Sequence, residues 1–213
     1  MELDGDLAAP AGGRGVVLFA HGSGSSRLSP RNRRVAAALQ SLGTGTLLID
    51  LLTRDEEAVD QRTGELRFDI GLLARRLGGI VEWLAARQEG RGGAIGIFGA
   101  STGAAAAAIA AAAHPDLVAA VVSRGGRIDL AGDGVLERLR VPTLLIVGDR
   151  DVQVLRLNEA VLGRIRGVRA LAIVPGASHL FEEPGTLDEV VRLAGMWFGQ
   201  YLGGRSRAPE SQS

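Results

Sequence analysis

The chain contains no cysteine, which removes disulfides, thiolate metal sites and a cysteine nucleophile from consideration. It contains no lysine either, so arginine supplies every side-chain cation, and the 24 basic residues equal the 24 acidic ones. A formal charge of zero gives no reason to expect nucleic acid or an anionic membrane surface as partner. Long apolar runs are missing too. The longest, Ala104 to Ala113, is alanine apart from Ile109, too short and too weakly hydrophobic to span a bilayer. Residues 1–15 carry acids, Pro10 and glycines instead of a basic segment followed by an apolar one. They do not read as a signal peptide, and a cytoplasmic protein is expected. Histidine is scarce, at three residues, and that scarcity narrows the search for a general base.

What is present is an alternation of short apolar runs with amphipathic stretches. At 213 residues the chain suits one α/β domain, expected over 16–203, with an extension at 1–15 and a disordered polar tail at 204–213. Six runs read as strands: Val16 to Ala20, Thr46 to Leu52, Ala94 to Phe98, Leu117 to Val122, Thr143 to Val147 and Arg169 to Val174. Between them, Val35, Ala36, Leu39 and Leu42, then Ile70, Leu73, Leu77, Ile80, Val81 and Leu84, fall at helical spacing. Residues 53–68 are highly charged and read as a surface excursion, and Leu187 to Leu202 as a closing helix. Strands separated by helices imply a doubly wound, mainly parallel six-stranded sheet with helices on both faces and a ligand crevice at the carboxyl ends of the strands.

The chemistry centres on Gly99-Ala100-Ser101-Thr102-Gly103, between the third strand and the alanine-rich run. A strand entering a helix through so sharp a turn strains the serine backbone and leaves no room for side chains two residues before and after it. The turn lifts the Ser101 hydroxyl clear of the sheet. It also aims the Thr102 amide, at the start of the new helix, at whatever occupies that oxygen.

A serine hydroxyl needs a base, usually histidine. His114 lies at the far end of the elbow helix, about 20 Å away at 1.5 Å per residue. His21 ends the first strand and is suited to fixing the loop that follows by hydrogen bonding. His179, in Pro175-Gly176-Ala177-Ser178-His179 after the last strand, is the expected base. The base needs a carboxylate to hold its tautomer. Asp151 is preferred to Asp149, which suits a bond to Arg150 or to the loop backbone, while Asp129 and Asp133 read as turn residues. The loop His21 to Ser26 also begins as G-x-G, but Arg27 stands where a dinucleotide fingerprint needs glycine, and no P-loop Lys-Ser or Lys-Thr follows. No cofactor and no metal are expected.

The chain order Ser101, Asp151, His179 is that of the α/β-hydrolase fold. With His21-Gly22 after the first strand, the elbow, Gly148 to Asp151 with Val154, and His179, the chain resembles that superfamily over nearly its whole length. The compact form and the run Ser123-Arg124-Gly125-Gly126-Arg127 are most similar to its dienelactone-hydrolase-like branch. The resemblance implies a second oxyanion donor in the amide of Ser23, with Gly24 adjacent. Members that open dienelactones typically use cysteine as nucleophile, so serine favours a carboxylesterase. Many relatives insert a cap domain between the fourth and fifth strands. Here Ser123 to Pro142 leaves room only for a loop and one short helix, which suits small esters. Arg124 and Arg127, leaving the fourth strand at its carboxyl end, are placed to pair with a substrate carboxylate or to pin their own loop. The expectation is a serine carboxylesterase for a small-molecule ester, monomeric or homodimeric. The alternatives are a binding or sensor protein on the same fold and an acyltransferase using the same serine.

Overall fold

The computed structural model describes residues 2–10, 12–13, 15–88 and 93–203; the expected disordered tail lies outside them. Seven strands form one sheet: β1 (Gly5–Ala8), β2 (Gly15–Ala20), β3 (Gly45–Ile49), β4 (Ala94–Ala100), β5 (Val118–Arg124), β6 (Thr143–Gly148) and β7 (Arg169–Val174), in the order β1-β3-β2-β4-β5-β6-β7. All pairings are parallel except β1 with β3, which runs antiparallel with Gly5 opposite Ile49 and Ala8 opposite Thr46.

The sheet thus has one strand more than the six expected, and the extra strand lies in the segment taken as an extension. Its four residues include a single large apolar side chain, Leu7, which is half-exposed. An exposed edge strand of that length carries no alternation strong enough to read. It is held by its ladder to β3 and by Asp6, which pairs with Arg27 and Arg33.

Among the described residues there are seven α-helices: α1 (Pro30–Ser41), α2 (Arg54–Thr63), α3 (Ile70–Gln88), α4 (Gly103–Ala113), α5 (Asp133–Leu136), α6 (Val152–Leu162) and α7 (Thr186–Leu202). Among the described residues no helix is long and apolar enough to cross a membrane. The charged segment taken as a surface excursion contains α2. Thr53 caps it by accepting from the Glu56 amide while the Glu56 carboxylate accepts from the Thr53 amide, the reciprocal pair of a capping box. Glu56 also accepts from the buried Arg76 of α3 at 2.5 Å, and that bond is the main reason its carboxyl is held down to about 2, well below the usual carboxylate range.

Strand residues alternate between two cores. Val16, Leu18 and Ala20 face α3 and α4, with Leu73, Leu77, Val81 and the alanines. Val17 and Phe19 face α1 and α7, with Val35, Leu39, Val190 and Phe198. Alanine lets α4 lie close to the sheet, and its one large residue, Ile109, points towards the margin.

The connections from β2 lead first to β3 on one side and then to β4 on the other. The loops leaving β2 and β4 therefore lead to opposite sides, the arrangement that places a ligand crevice at the carboxyl edge of such a sheet. Between β5 and β6 there is only a 3-10 turn, Ile128–Ala131, and the short α5. No cap domain covers the crevice there.

Candidate active site

Ser101 stands where β4 gives way to α4, with φ +50°, a left-handed conformation costing a non-glycine residue about 1 to 3 kcal/mol. The strain is over-determined by packing. A Cβ on Gly99 would lie 2.6 Å from the Ala104 Cα, and one on Gly103 would lie 2.4 Å from the Ala20 carbonyl oxygen. One on Gly22 would come within 2.9 Å of the Ser101 Cβ. The elbow is thus pressed against the end of β2 as well as closed on itself. Backbone bonds hold it: the Ser101 amide donates to the Arg124 carbonyl at 3.2 Å, and the Ser101 carbonyl accepts from Ala104 and Arg127.

His179 Nε2 lies 3.3 Å from Ser101 Oγ, and its Nδ1 lies 2.6 Å from Asp151 Oδ2. Residues separated by 78 and 28 positions meet at one rim. Asp151 is the N-cap residue of α6, yet its side chain makes no capping bond, which leaves the carboxylate to the imidazole. With Nδ1–H donated to Asp151, Nε2 carries the lone pair that faces the serine.

The histidine loop is laced to the acid loop. Asp149 accepts from the Gly176 amide at 2.8 Å, and the amides of Asp149 and Arg150 donate to the carbonyls of Val174 and Ala177. Asp149 is thus engaged by loop backbone, not by the imidazole. Glu183 accepts from the Ser178 amide at 3.1 Å, and its bonds to Ser178 hold its carboxyl below the usual range. The Asp149 anchor is of the expected kind, a bond to loop backbone; the Glu183 anchor is missed by sequence reasoning, because an acidic residue in a loop gives no sign of which amide it will find.

His21 keeps to the expected loop: its Nε2 accepts from the Leu51 amide at 3.2 Å, so Nδ1–H donates to the Gly22 carbonyl at 2.9 Å. His114 sits against Glu82 at 3.8 Å, at the opposite end of α4.

The expected oxyanion donors are not both free. Ser23 N–H donates to Thr102 Oγ1 at 2.8 Å, so the second amide is engaged by the side chain of the residue bearing the first. Gly24, at φ +68°, is exposed on the loop. Arg127 forms a bidentate pair with Asp129, at 3.0 and 2.9 Å, which raises its pKa; it pins its own loop. Arg124 is buried, and burial, reinforced by the charge of Arg31, pulls its guanidinium down to about 10. Among the described residues no group of three or more His, Asp or Glu side chains is placed to hold a metal ion.

The fold has a counterpart in the crystal structure of dienelactone hydrolase from Anabaena variabilis, 55% identical, covering 94% of this chain and 93% of that one with a TM-score of 0.91. The chain belongs to the dienelactone hydrolase family of the α/β hydrolases. This family member also shares its fold, at 15% identity, with Est1E of Butyrivibrio proteoclasticus, with 93% of each chain covered and a TM-score of 0.76. It is 54% identical over 204 residues to a Mycobacterium tuberculosis protein carried, in two strains, under the name "Putative phosphoribosyl transferase". That match takes in 96% of this chain and 45% of the other, so this dienelactone hydrolase relative spans less than half the length of the curated proteins it matches. No family model matches it.

Proposed function

We propose that the protein is a serine carboxylesterase acting on small esters through an acyl-enzyme. The observation that carries this reading is the chain of contacts from Asp151 through His179 to the hydroxyl of a strained serine. Ser101 Oγ attacks the ester carbonyl as its proton passes to His179 Nε2, and Asp151 stabilises the imidazolium. The oxyanion accepts from the Thr102 amide, and from that of Ser23 once the Thr102 hydroxyl has turned aside. Collapse expels the alkoxide, which takes the proton from His179 and leaves as alcohol. Water, deprotonated by the same imidazole, then attacks the acyl carbon and releases the acid and Ser101.

Phosphoribosyl transfer is named for proteins of which more than half lies outside the match. It gives no role to an activated serine, whereas ester cleavage uses every member of the constellation.

Nitrophenyl esters with acyl chains of two to twelve carbons test the reading. Without a cap over the crevice, there is little apolar surface to receive a long chain. Turnover of the short esters, with kcat/KM falling as the chain lengthens, is the expected result. Turnover of none of them would overturn the proposal.

A further inference from the structure

The imidazole at the centre of the site is carried by an irregular loop between β7 and α7. The His179 side chain is 37% exposed, and among the described residues neither its amide nor that of Leu180 donates to a protein acceptor. Its position is therefore inherited from its neighbours in the chain. Before it, Ala177 is buried and its carbonyl accepts from the Arg150 amide at 3.1 Å.

After it, the chain turns back on itself. The Ser178 carbonyl accepts from the Phe181 amide at 3.2 Å. Phe181 takes φ +55°, a conformation a phenylalanine keeps only where its surroundings over-determine it, and its ring lies in the same buried cluster as Ala177, Leu187 and Val190. Glu183 then reaches back to Ser178, with both carboxylate oxygens 3.1 Å from the amide nitrogen. Its carboxyl, held low first by the bonds to Ser178, is ionised at neutral pH, so the contact is a charge-assisted one.

Glu183 is itself fixed. Its carbonyl accepts from the amide and the hydroxyl of Thr186, at 3.1 and 2.7 Å, where α7 begins. Pro184 restricts the backbone of the residue before it, and α7 is seated in the core by Val190, Ala194 and Phe198. The contact between residues 178 and 183 thus closes a ring that carries His179, tied to β7 at one end and to α7 at the other. The placement is demanding: Nε2 stands 3.3 Å from Ser101 Oγ, at the long end for a hydrogen bond, and a shift of about 1 Å is worth about 100-fold in rate.

We infer that Glu183 is a positioning residue for the catalytic base: by holding the Ser178 amide, its carboxylate keeps the His179 imidazole between Asp151 and Ser101. The inference deepens the esterase reading and, for the word base, rests on it. Glu183 touches no reacting atom and acts through the backbone next to the histidine.

Proton NMR of the full chain tests the position without needing turnover. The proton between His179 Nδ1 and Asp151 Oδ2, 2.6 Å apart, is expected to give a far-downfield signal in the wild type, assigned by its loss in His179→Ala. In Glu183→Ala that signal is expected to vanish while thermal unfolding stays cooperative. A signal unchanged in Glu183→Ala, or missing from the wild type, overturns the inference even if Ser101 proves to be an active nucleophile. Should Glu183→Ala fail to fold, Glu183→Asp replaces it; the charge is kept but the side chain, one methylene shorter, no longer reaches the Ser178 amide, so the same loss is required.

Steady-state rates on a short nitrophenyl ester then separate positioning from charge. Glu183→Ala is expected to lower kcat about 10- to 100-fold with KM within about twofold of the wild type. Glu183→Gln keeps an acceptor oxygen without the charge and is expected to restore kcat to within about threefold, whereas Glu183→Asp stays as slow as the alanine variant. Rescue by aspartate and not by glutamine would assign the effect to charge, and a change in KM alone would assign it to substrate binding; either contradicts the inference. Absence of ester turnover in the wild type, with the NMR response as expected, would instead refute the esterase reading and leave the imidazole positioned for another reaction.

Discussion

Ester hydrolysis is expected to fall about 10^4- to 10^6-fold when Ser101 is replaced by alanine, with the folded structure retained. The size of the loss follows from what alanine removes. Without Oγ there is no acyl-enzyme, and His179 and the oxyanion amides can act only on water, with the residual acceleration left when a nucleophile is deleted. The fold is expected to stay unchanged: alanine at φ +50° bears the same left-handed strain as serine, and Gly22, Gly99 and Gly103 still hold the turn. Steady-state rates on a short nitrophenyl ester, with circular dichroism as the check on folding, separate the two effects. A variant that kept a tenth of the wild-type rate would mean that the turnover runs through another group.

Asp151→Asn is expected to cost about 10^4-fold in kcat with little change in KM. The carboxylate accepts from His179 Nδ1 at 2.6 Å and so keeps the lone pair of Nε2 facing Ser101. An asparagine can turn its NH2 to the ring and donate to Nδ1. The ring proton then sits on Nε2, pointing at the serine oxygen, and no base remains. Because the side chain is nearly the same shape and Asp151 makes no capping bond in α6, the loss is of chemistry and not of the helix. Substrate contacts are untouched, which is why kcat carries the change. A fall in kcat of less than about 10-fold, far below the tautomer penalty, would assign the orienting role elsewhere, with Asp149 excluded by its bond to the Gly176 amide.

Features fixed by short-range physics were legible in the residues. The six runs that became β2 to β7 are mainly apolar, with Asp50 and Arg169 at or near their ends, and the elbow glycines announce a turn that admits no side chains. Most of the features that escaped depend on partners far away in the chain. β1 is marginal until β3 lies beside it and Arg27 and Arg33 reach Asp6. The charge of α2 obscured a capping box, Thr53 with Glu56, that is written in the sequence. At the site, the meeting of Ser101 with His179 could be anticipated from strand order and loop position. The Ser23 amide could not, since its engagement depends on the rotamer of Thr102, 79 residues away. The two arginines of one loop illustrate the same division. Arg127 meets Asp129 two residues on, a local pairing, whereas Arg124 is set by Asn32 and Phe181, distant in sequence.

The central claim is that the hydroxyl of residue 101 is activated by the imidazole of residue 179. Intact-mass analysis after exposure to a fluorophosphonate tests it most directly, because phosphonylation requires an activated hydroxyl and yields a covalent, countable adduct. One adduct per chain, located on the elbow peptide and absent from both Ser101→Ala and His179→Ala, is the predicted result. An unlabelled wild-type chain, or one labelled as fast without the imidazole as with it, would contradict the account.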